Sequence, residues 1–182
     1  MLDPALELLL RGALALLFAS TALHKARDLA GFRAALDGYA LLPERLIGIA
    51  AVALAAAEAG LAAALVAPAS LGARSPALVA IAALLGLYAA AIGVNLARGR
   101  RDIDCGCTGP AARQPLSGWL LARNALLAGL SLACVGGAFP RPLVWIDAIT
   151  VAGGLALGVA TWIAVHGLLA HAPALARLRE GT

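Results

Sequence analysis

Charged residues are scarce in this chain of 182 residues: Asp, Glu, Lys and Arg make up 13% of it, and aromatic residues 4%. An average soluble domain carries about 25% charged residues, so the charge here is about half the usual level. Hydrophobic residues make up 62% of the chain. A small soluble domain buries only about two-thirds of the surface that its unfolded chain exposes. These proportions exclude a single soluble globule, and they also exclude intrinsic disorder.

Motifs for nucleotide and hydrolytic chemistry are missing as well. The chain has no phosphate-binding glycine loop, no zinc-protease helix and no Ser/His/Asp arrangement. Its basic residues are not interleaved with aromatic ones, so the net charge of +4 does not indicate a nucleic-acid surface. The N-terminus is acidic, with Asp3 and Glu7, and no cleavage-like ending follows. We therefore expect no secretory signal peptide and a first apolar segment that is retained.

Five apolar segments are each long enough to cross a bilayer as a helix, which takes about 20 residues. They predict an all-α, polytopic membrane bundle of about five transmembrane helices, a four-helix core plus one, in a single integral membrane domain. The segments lack the period-2 alternation of a membrane β-barrel. The domain covers residues 1–182, with spans at about 5–23, 46–68, 76–96, 117–138 and 143–170 and a short C-terminal tail at 171–182.

The first long loop, residues 24–45, contains a helical pattern. Leu29, Phe32, Leu36 and Tyr39 recur on one face of a helix. The pattern predicts a short helix that lies in the membrane interface and ends near Pro43.

Lys and Arg residues are distributed unevenly around the spans. Five spans place the loop at 24–45, the loop at 97–116 and the C-terminal tail on one side of the bilayer. That side carries ten of the 14 basic residues, and the opposite side carries two, Arg74 and Arg141. The positive-inside rule then places both long loops in the cytoplasm.

The loop at residues 97–116, here called the CGC loop, contains Cys105 and Cys107 on either side of Gly106. A disulfide needs Cα atoms about 4.4–6.8 Å apart. An extended three-residue stretch gives roughly 6.6–7.2 Å, and a turn at glycine shortens it. The small ring closed by such a disulfide should be strained, and a strained disulfide is better suited to thiol–disulfide exchange than to stabilising the fold. We favour thiol–disulfide exchange, with metal binding and no chemistry as the alternatives.

Asp102 and Asp104 precede the cysteine pair. Either carboxylate could carry a proton during exchange, or join two thiolates on a metal ion. No second Cys or His pair has ligand spacing, so we predict no metal site. Nearby Arg residues favour the thiolate and the two Asp residues oppose it, which leaves the net effect open. The third cysteine, Cys134, lies in the fourth span and is expected to be a small buried residue.

Ionisable residues inside spans are costly in lipid and tend to face the bundle interior or a cavity. Glu58 lies near the middle of the second span, Arg123 in the fourth, and Arg11 in the first, one turn after Glu7. Pairing of Glu58 with Arg11 or Arg123 is the simpler interpretation. The alternative makes Glu58 a proton-handling group beside a thiol or quinone site. No motif supports a quinone or any other cofactor.

Three stretches of the chain resemble the methylamine utilisation protein MauE family, which is similar to DoxX-type redox-associated membrane proteins. They occur in the same order, within about residues 5–140, and read HKARDLAGFRAALDGYALLP, NLARGRRDIDCGC and WLLARNALL. The DIDCGC stretch is the most specific. Where the family often has an aromatic residue after the second cysteine, this chain has Thr108.

The resemblance implies a multi-pass protein of the bacterial inner membrane, with Cys105 and Cys107 as a redox pair. It further implies a role in processing, export or maturation of the disulfide-rich small subunit of periplasmic methylamine dehydrogenase, beside a thioredoxin-like partner. A non-enzymatic membrane scaffold, with a structural CGC turn, is the alternative function.

The positive-inside assignment predicts that Cys105 and Cys107 face the cytoplasm. A membrane-impermeant thiol reagent should leave both unlabelled in intact cells and label the loop after permeabilisation, with the labelled residues located by mass spectrometry. Labelling of intact cells would reverse the orientation and put the pair on the side of a periplasmic client.

Overall fold

The computed structural model describes residues 2–67, 75–106 and 114–180, with side chains up to residue 165. Over these ranges the fold is all-helical, and five of its six helices are long and apolar enough to cross a membrane. This confirms the predicted polytopic helix bundle, while its extent as a single domain stays a prediction. The helices are α1 Pro4–Arg27, α2 Leu29–Tyr39, α3 Glu44–Val66, α4 Pro76–Ala97, α5 Gly118–Val135 and α6 Trp145–Glu180.

The bounds of the helices follow the predicted spans closely at most ends. The short helix predicted in the first loop is α2, which ends at Tyr39; its position in the membrane interface stays a prediction. The first span was predicted to end at residue 23, but α1 continues to Arg27. Helix α6 continues to Glu180, over residues that the sequence places in a C-terminal tail.

Asp28 separates α1 from α2. Its backbone N–H donates to the His24 carbonyl at 3.0 Å at the end of α1, and its side chain accepts from the Gly31 N–H at 2.8 Å. An aspartate in this position caps the free N–H groups of the next helix. A Cβ atom at Gly31 would lie 2.2 Å from Asp28 Oδ2, so the cap requires glycine there.

The bundle core lies between α1, α3, α4 and α5. Helix α1 packs mainly on α3, and α4 mainly on α5. Ser131 Oγ donates a buried hydrogen bond of 2.8 Å to the Leu78 carbonyl and so joins α5 to α4. Such bonds hold helices together where lipid offers no competing partner. The buried core residues include Leu14, Phe18, Leu65, Leu78, Ile81, Leu85 and Cys134. Cys134 is thus the small buried residue that the sequence predicts.

Helix α6 lies outside this core, against α1. A Cβ atom at Gly154 would lie 2.8 Å from Leu9 Cδ1, and one at Gly12 would lie 3.0 Å from Leu155 Cδ1. A leucine side chain of the opposite helix therefore packs directly against each glycine. Small residues of this kind allow close helix approach in a membrane.

Arg141 ties the N-terminus to the connection between α5 and α6. Its guanidinium donates to both carboxylate oxygens of Asp3 and to both of Asp147, at 2.8–2.9 Å. Leu2 adds a backbone pair, donating to Gly137 and accepting from Phe139. The hydrogen bonds from Arg141 hold the pKa of Asp3 below its ordinary value of 3.8.

Asp3 should give the protein an acid-sensitive contribution to stability. Because its folded-state pKa is lowered, the contribution is present above pH 3.8 and is lost as the pH falls through the folded value. Asp3→Asn should lower the melting temperature in detergent at neutral pH and flatten its decline at acid pH. Asp37→Asn, at another exposed aspartate, is the control. An unchanged acid profile in Asp3→Asn would contradict the assignment.

Candidate functional site

The CGC loop is closed at its base by backbone hydrogen bonds. Cys105 N–H donates to the Gln114 carbonyl at 2.9 Å, and Leu116 N–H donates to the Ile103 carbonyl at 3.1 Å. Asp104 and Pro115 form an antiparallel bridge between them. The segment after α4 therefore returns directly onto the segment that starts α5.

Asp104 fixes this closure with its side chain. Its Oδ1 atom accepts from the backbone N–H of Gly106 at 3.2 Å and from that of Gln114 at 3.3 Å. Asp102, by contrast, is exposed. Of the two carboxylates predicted beside the cysteines, Asp104 thus holds the turn and Asp102 faces outward. Among the described residues, no group of three His, Cys, Asp or Glu side chains could hold a metal ion.

Cys105 is a buried residue, with 6% of its surface exposed. It packs in a second apolar cluster formed where α2, α4 and α5 meet. Its neighbours in that cluster are Tyr39, Ile92, Leu116 and Leu120. Cys107, Thr108 and Arg113 lie outside the described residues, so the geometry of the cysteine pair stays a prediction. Cys134 lies 14 residues after Leu120 on α5, roughly 21 Å along the helix axis, so the structure does not bring it to this site.

Gly106 packs the turn against α2. Its φ is +73°, in the left-handed region that glycine adopts without strain. A Cβ atom there would lie 3.1 Å from Ala35 Cβ and 3.2 Å from Phe32 Cδ2. One turn further along α2, a Cβ atom at Gly38 would lie 3.2 Å from Ile103 Cγ2. The helix predicted from Leu29, Phe32, Leu36 and Tyr39 thus supports the cysteine turn as well as linking two spans.

A pocket of about 430 Å³ lies between α2 and the CGC loop, and is here called the loop pocket. Gly106 is part of its wall, and the apolar part of the lining includes Phe32 and Ile103. Charges of both signs surround it. The ionisable residues of its lining are His24, Lys25, Asp28, Arg100, Asp102 and Asp104. The turn that carries Cys105 therefore borders a space large enough for a peptide side chain.

Beneath the loop pocket lies a buried ion pair between Lys25 and Glu58, each with 2% of its surface exposed. Lys25 Nζ donates to Glu58 Oε1, and Tyr88 Oη donates to the same oxygen at 2.7 Å. The ammonium also lies 4.8 Å from the centre of the Phe32 ring. Phe32 thus contacts both Lys25 and the cysteine turn, which connects the ion pair to the CGC loop.

This arrangement differs from the expected pairing of Glu58 with Arg11 or Arg123. Arg11 instead bridges Glu7, one helical turn away, at 2.7 Å. Lys25 reaches Glu58 because α1 extends two residues beyond it, to Arg27, and a long apolar stem carries the ammonium into the bundle. Lys25 and Tyr88 are the site residues that the sequence did not identify. The sequence did contain a signal for Lys25. Glu58 is the only charged residue in the predicted second span, so its carboxylate needs a cation from another segment.

Arg123 lies near Glu58 without an ion pair to it in the described residues. Both residues line a small cavity between the long helices, together with Asn124. The Arg123 guanidinium lies 6.0 Å from the centre of the Trp162 ring on α6, a distance typical of a weak cation–π contact. The predicted role of Arg123 as an intramembrane charge partner therefore stays a prediction.

A family model for the methylamine utilisation protein MauE matches residues 3–139, which include the CGC loop, α2 and the ion pair. The chain belongs to the MauE family. With its five long apolar helices, this MauE-family chain is a multi-pass membrane protein.

Several MauE proteins are similar to the chain over most of their length. The methylamine utilization protein MauE of Methylorubrum extorquens is 35% identical over 182 residues, covering 98% of this chain and 91% of the relative. MauE of Paracoccus denitrificans is 39% identical, covering 75% of this chain and 72% of the relative. MauE of Paracoccus versutus is 40% identical, covering 71% of this chain and 68% of the relative. No solved structure matches the chain.

The packing of Gly106 on α2 predicts a difference between two glycines of the CGC loop. Gly99 also has a left-handed φ, of +75°, but nothing lies within 4 Å of the position of its Cβ. Gly99→Ala should cost about 1–2 kcal/mol, from the left-handed conformation alone. Gly106→Ala should cost a further 1–3 kcal/mol, roughly, because its methyl group overlaps Ala35 and Phe32. Equal losses of unfolding free energy in detergent would show that the turn does not depend on this contact.

Proposed function

We propose that the protein takes part in methylamine utilisation as a membrane thiol–disulfide oxidoreductase. Cys105 and Cys107 are its redox pair, and a thioredoxin-like protein is its exchange partner. Its client is a disulfide-containing periplasmic protein such as the small subunit of methylamine dehydrogenase, whose processing, transport or maturation it supports. The carrying observation is the Cys105–Gly106 turn, clamped at its base and seated beside the loop pocket.

The exchange is a two-electron transfer between dithiols. A Cys107 thiolate attacks the partner's disulfide and forms a mixed disulfide, and the partner's leaving sulfur takes up a proton. Cys105 then attacks Cys107 in the mixed disulfide and releases the partner as a dithiol. Two electrons and two protons pass from the cysteine pair to the partner, and the reverse sequence oxidises the partner.

The burial of Cys105 supports this division of roles. A side chain packed among Tyr39, Ile92 and Leu116 is poorly placed to meet another protein. It is well placed to attack a neighbouring sulfur from within the turn. We therefore assign Cys107 to the partner and Cys105 to the second, resolving step.

The carboxylates of the site have different proposed roles. Asp102 is exposed at the loop pocket, and we assign it the proton exchanged with solvent at the thiols. Asp104 is engaged by two backbone N–H groups and holds the turn. Glu58, bonded to Lys25 behind the pocket, is the proposed proton-handling group of the bundle interior. No quinone or other cofactor enters this scheme.

The orientation of the loop bears on the direction of electron flow. A cytoplasmic CGC loop would exchange with a cytoplasmic thioredoxin-like protein by the reverse sequence, in which the partner's dithiol is oxidised and the cysteine pair is reduced. A periplasmic loop would act on the client directly. The labelling of Cys105 and Cys107 distinguishes the two routes.

A second function is a non-enzymatic scaffold that assembles a partner in the membrane. The observation that favours it is the burial of Cys105 in an apolar cluster, where a cysteine serves as a small packing residue. In that case the CGC turn supports the contact with α2 and carries out no exchange. Nothing in the described residues favours the metal-binding alternative.

Single serine variants test the proposed exchange. In cells, Cys105→Ser should accumulate a mixed disulfide between Cys107 and its partner, because the resolving thiol is absent. Cys107→Ser should trap no such species, and both variants should impair disulfide formation in the client. The readout is non-reducing electrophoresis after acid quenching, with mass spectrometry of the trapped species.

Cys134→Ser is the matched control, since Cys134 is a buried cysteine away from the loop. It should behave like the wild type in both assays. Normal client maturation in the double variant Cys105→Ser/Cys107→Ser, with its partner still co-purifying, would contradict the oxidoreductase and support the scaffold.

A further inference from the structure

A small cavity, here called the central cavity, lies where all five long helices meet. Its volume is about 30 Å³. Phe18 and Thr21 of α1, Glu58 of α3, Tyr88 of α4 and Trp162 of α6 contribute to its lining, and α5 contributes Arg123 and Asn124. A cavity needs about 10–15 Å³ to hold one water molecule, so this one has room for water but not for an organic ring.

Three residues that line the central cavity each have a polar atom that is buried without a hydrogen-bond partner among the described residues. These atoms are Glu58 Oε2, Arg123 Nε and Asn124 Nδ2. The side chains of Glu58 and Asn124 are also nearly inaccessible, with 2% and 3% of their surface exposed. A buried polar group left without a partner costs about 1–3 kcal/mol, and more when it is charged. Three unpartnered polar atoms on residues that line one cavity indicate a bound molecule that forms hydrogen bonds with all of them.

The chemistry of the three atoms selects that molecule. The carboxylate oxygen needs a donor, whereas the Arg123 and Asn124 nitrogens need an acceptor. An anion would be repelled by Glu58, and a cation by Arg123 and by Lys25 behind it. Water donates two hydrogen bonds and accepts two, and it fits the volume. We propose that the central cavity is a water site, in which bound water bridges Glu58 Oε2 to Arg123 and Asn124.

The water site would complete a polar path through the bundle. Lys25 borders the loop pocket and donates to Glu58 Oε1, while Glu58 also lines the central cavity and its Oε2 atom has no partner among the described residues. Bound water extends these hydrogen bonds to Arg123, so that Glu58 is shared between two cations, one direct and one through water. This path does not depend on the redox chemistry of the cysteines.

Hydroxyl-radical footprinting tests the site, because radicals formed from bound water modify the side chains that touch it. Leu85 lines the central cavity and Leu14 does not, although both belong to the same core and each has 3% of its surface exposed. In the wild-type protein in nanodiscs, Leu85 should be modified several-fold faster than Leu14. Mass spectrometry of the oxidised peptides gives both rates from one sample.

Asn124→Leu removes a donor and fills the cavity, so it should bring the rate of Leu85 down to that of Leu14. If this variant fails to fold, the comparison within the wild type still decides. Equal rates for Leu85 and Leu14 in the wild type would overturn the water site. The client assays of the cysteine variants would be unaffected by that result, so the two proposals fail separately.

Discussion

The ion pair between Lys25 and Glu58 is the constraint on which the arrangement of this bundle depends. Two opposite charges in an apolar interior are tolerated only when they meet, and removing one partner of such a pair typically costs about 3–5 kcal/mol. The requirement fixes the end of α1 against the middle of α3. Tyr88 adds α4 to the same oxygen of Glu58, so three helices are held at one level of the bundle.

The position of the cysteine turn depends on where the ion pair between Lys25 and Glu58 lies in the bundle. The Lys25 ammonium lies over the Phe32 ring, and Phe32 also packs against the turn at Gly106. The capped break at Asp28 sets the direction in which α2 leaves α1. The CGC loop is therefore built on the interior of the bundle rather than suspended from two helix ends. A cysteine pair placed in this way keeps a defined position relative to the charges below it.

Much of the fold is predictable from sequence because lipid imposes a simple rule on length and apolarity. The rule on length and apolarity does not fix the direction or the partner of an individual side chain. Lys25 was counted among the loop charges, since a lysine two residues past an apolar run normally remains in the interface. Whether its side chain turns inward depends on the helix extending to Arg27 and on a carboxylate 33 residues away. A proton-carrying role for Asp104 stays a prediction, and its contact with Gln114 becomes visible only when the loop closes on itself.

The ion pair can form only in a fixed order during synthesis and membrane insertion. Lys25 leaves the ribosome well before Glu58, so α1 reaches the membrane with a cation that has no carboxylate to meet. An unpaired charge inside the bilayer is costly, about 2.5–3.5 kcal/mol at the centre of a helix on insertion scales, whereas a lysine near a helix end can extend to the interface. The inward position of Lys25 becomes favourable only once α3 is present. Helices α1, α2 and α3 must therefore all be present before the buried pair of Lys25 and Glu58 can form.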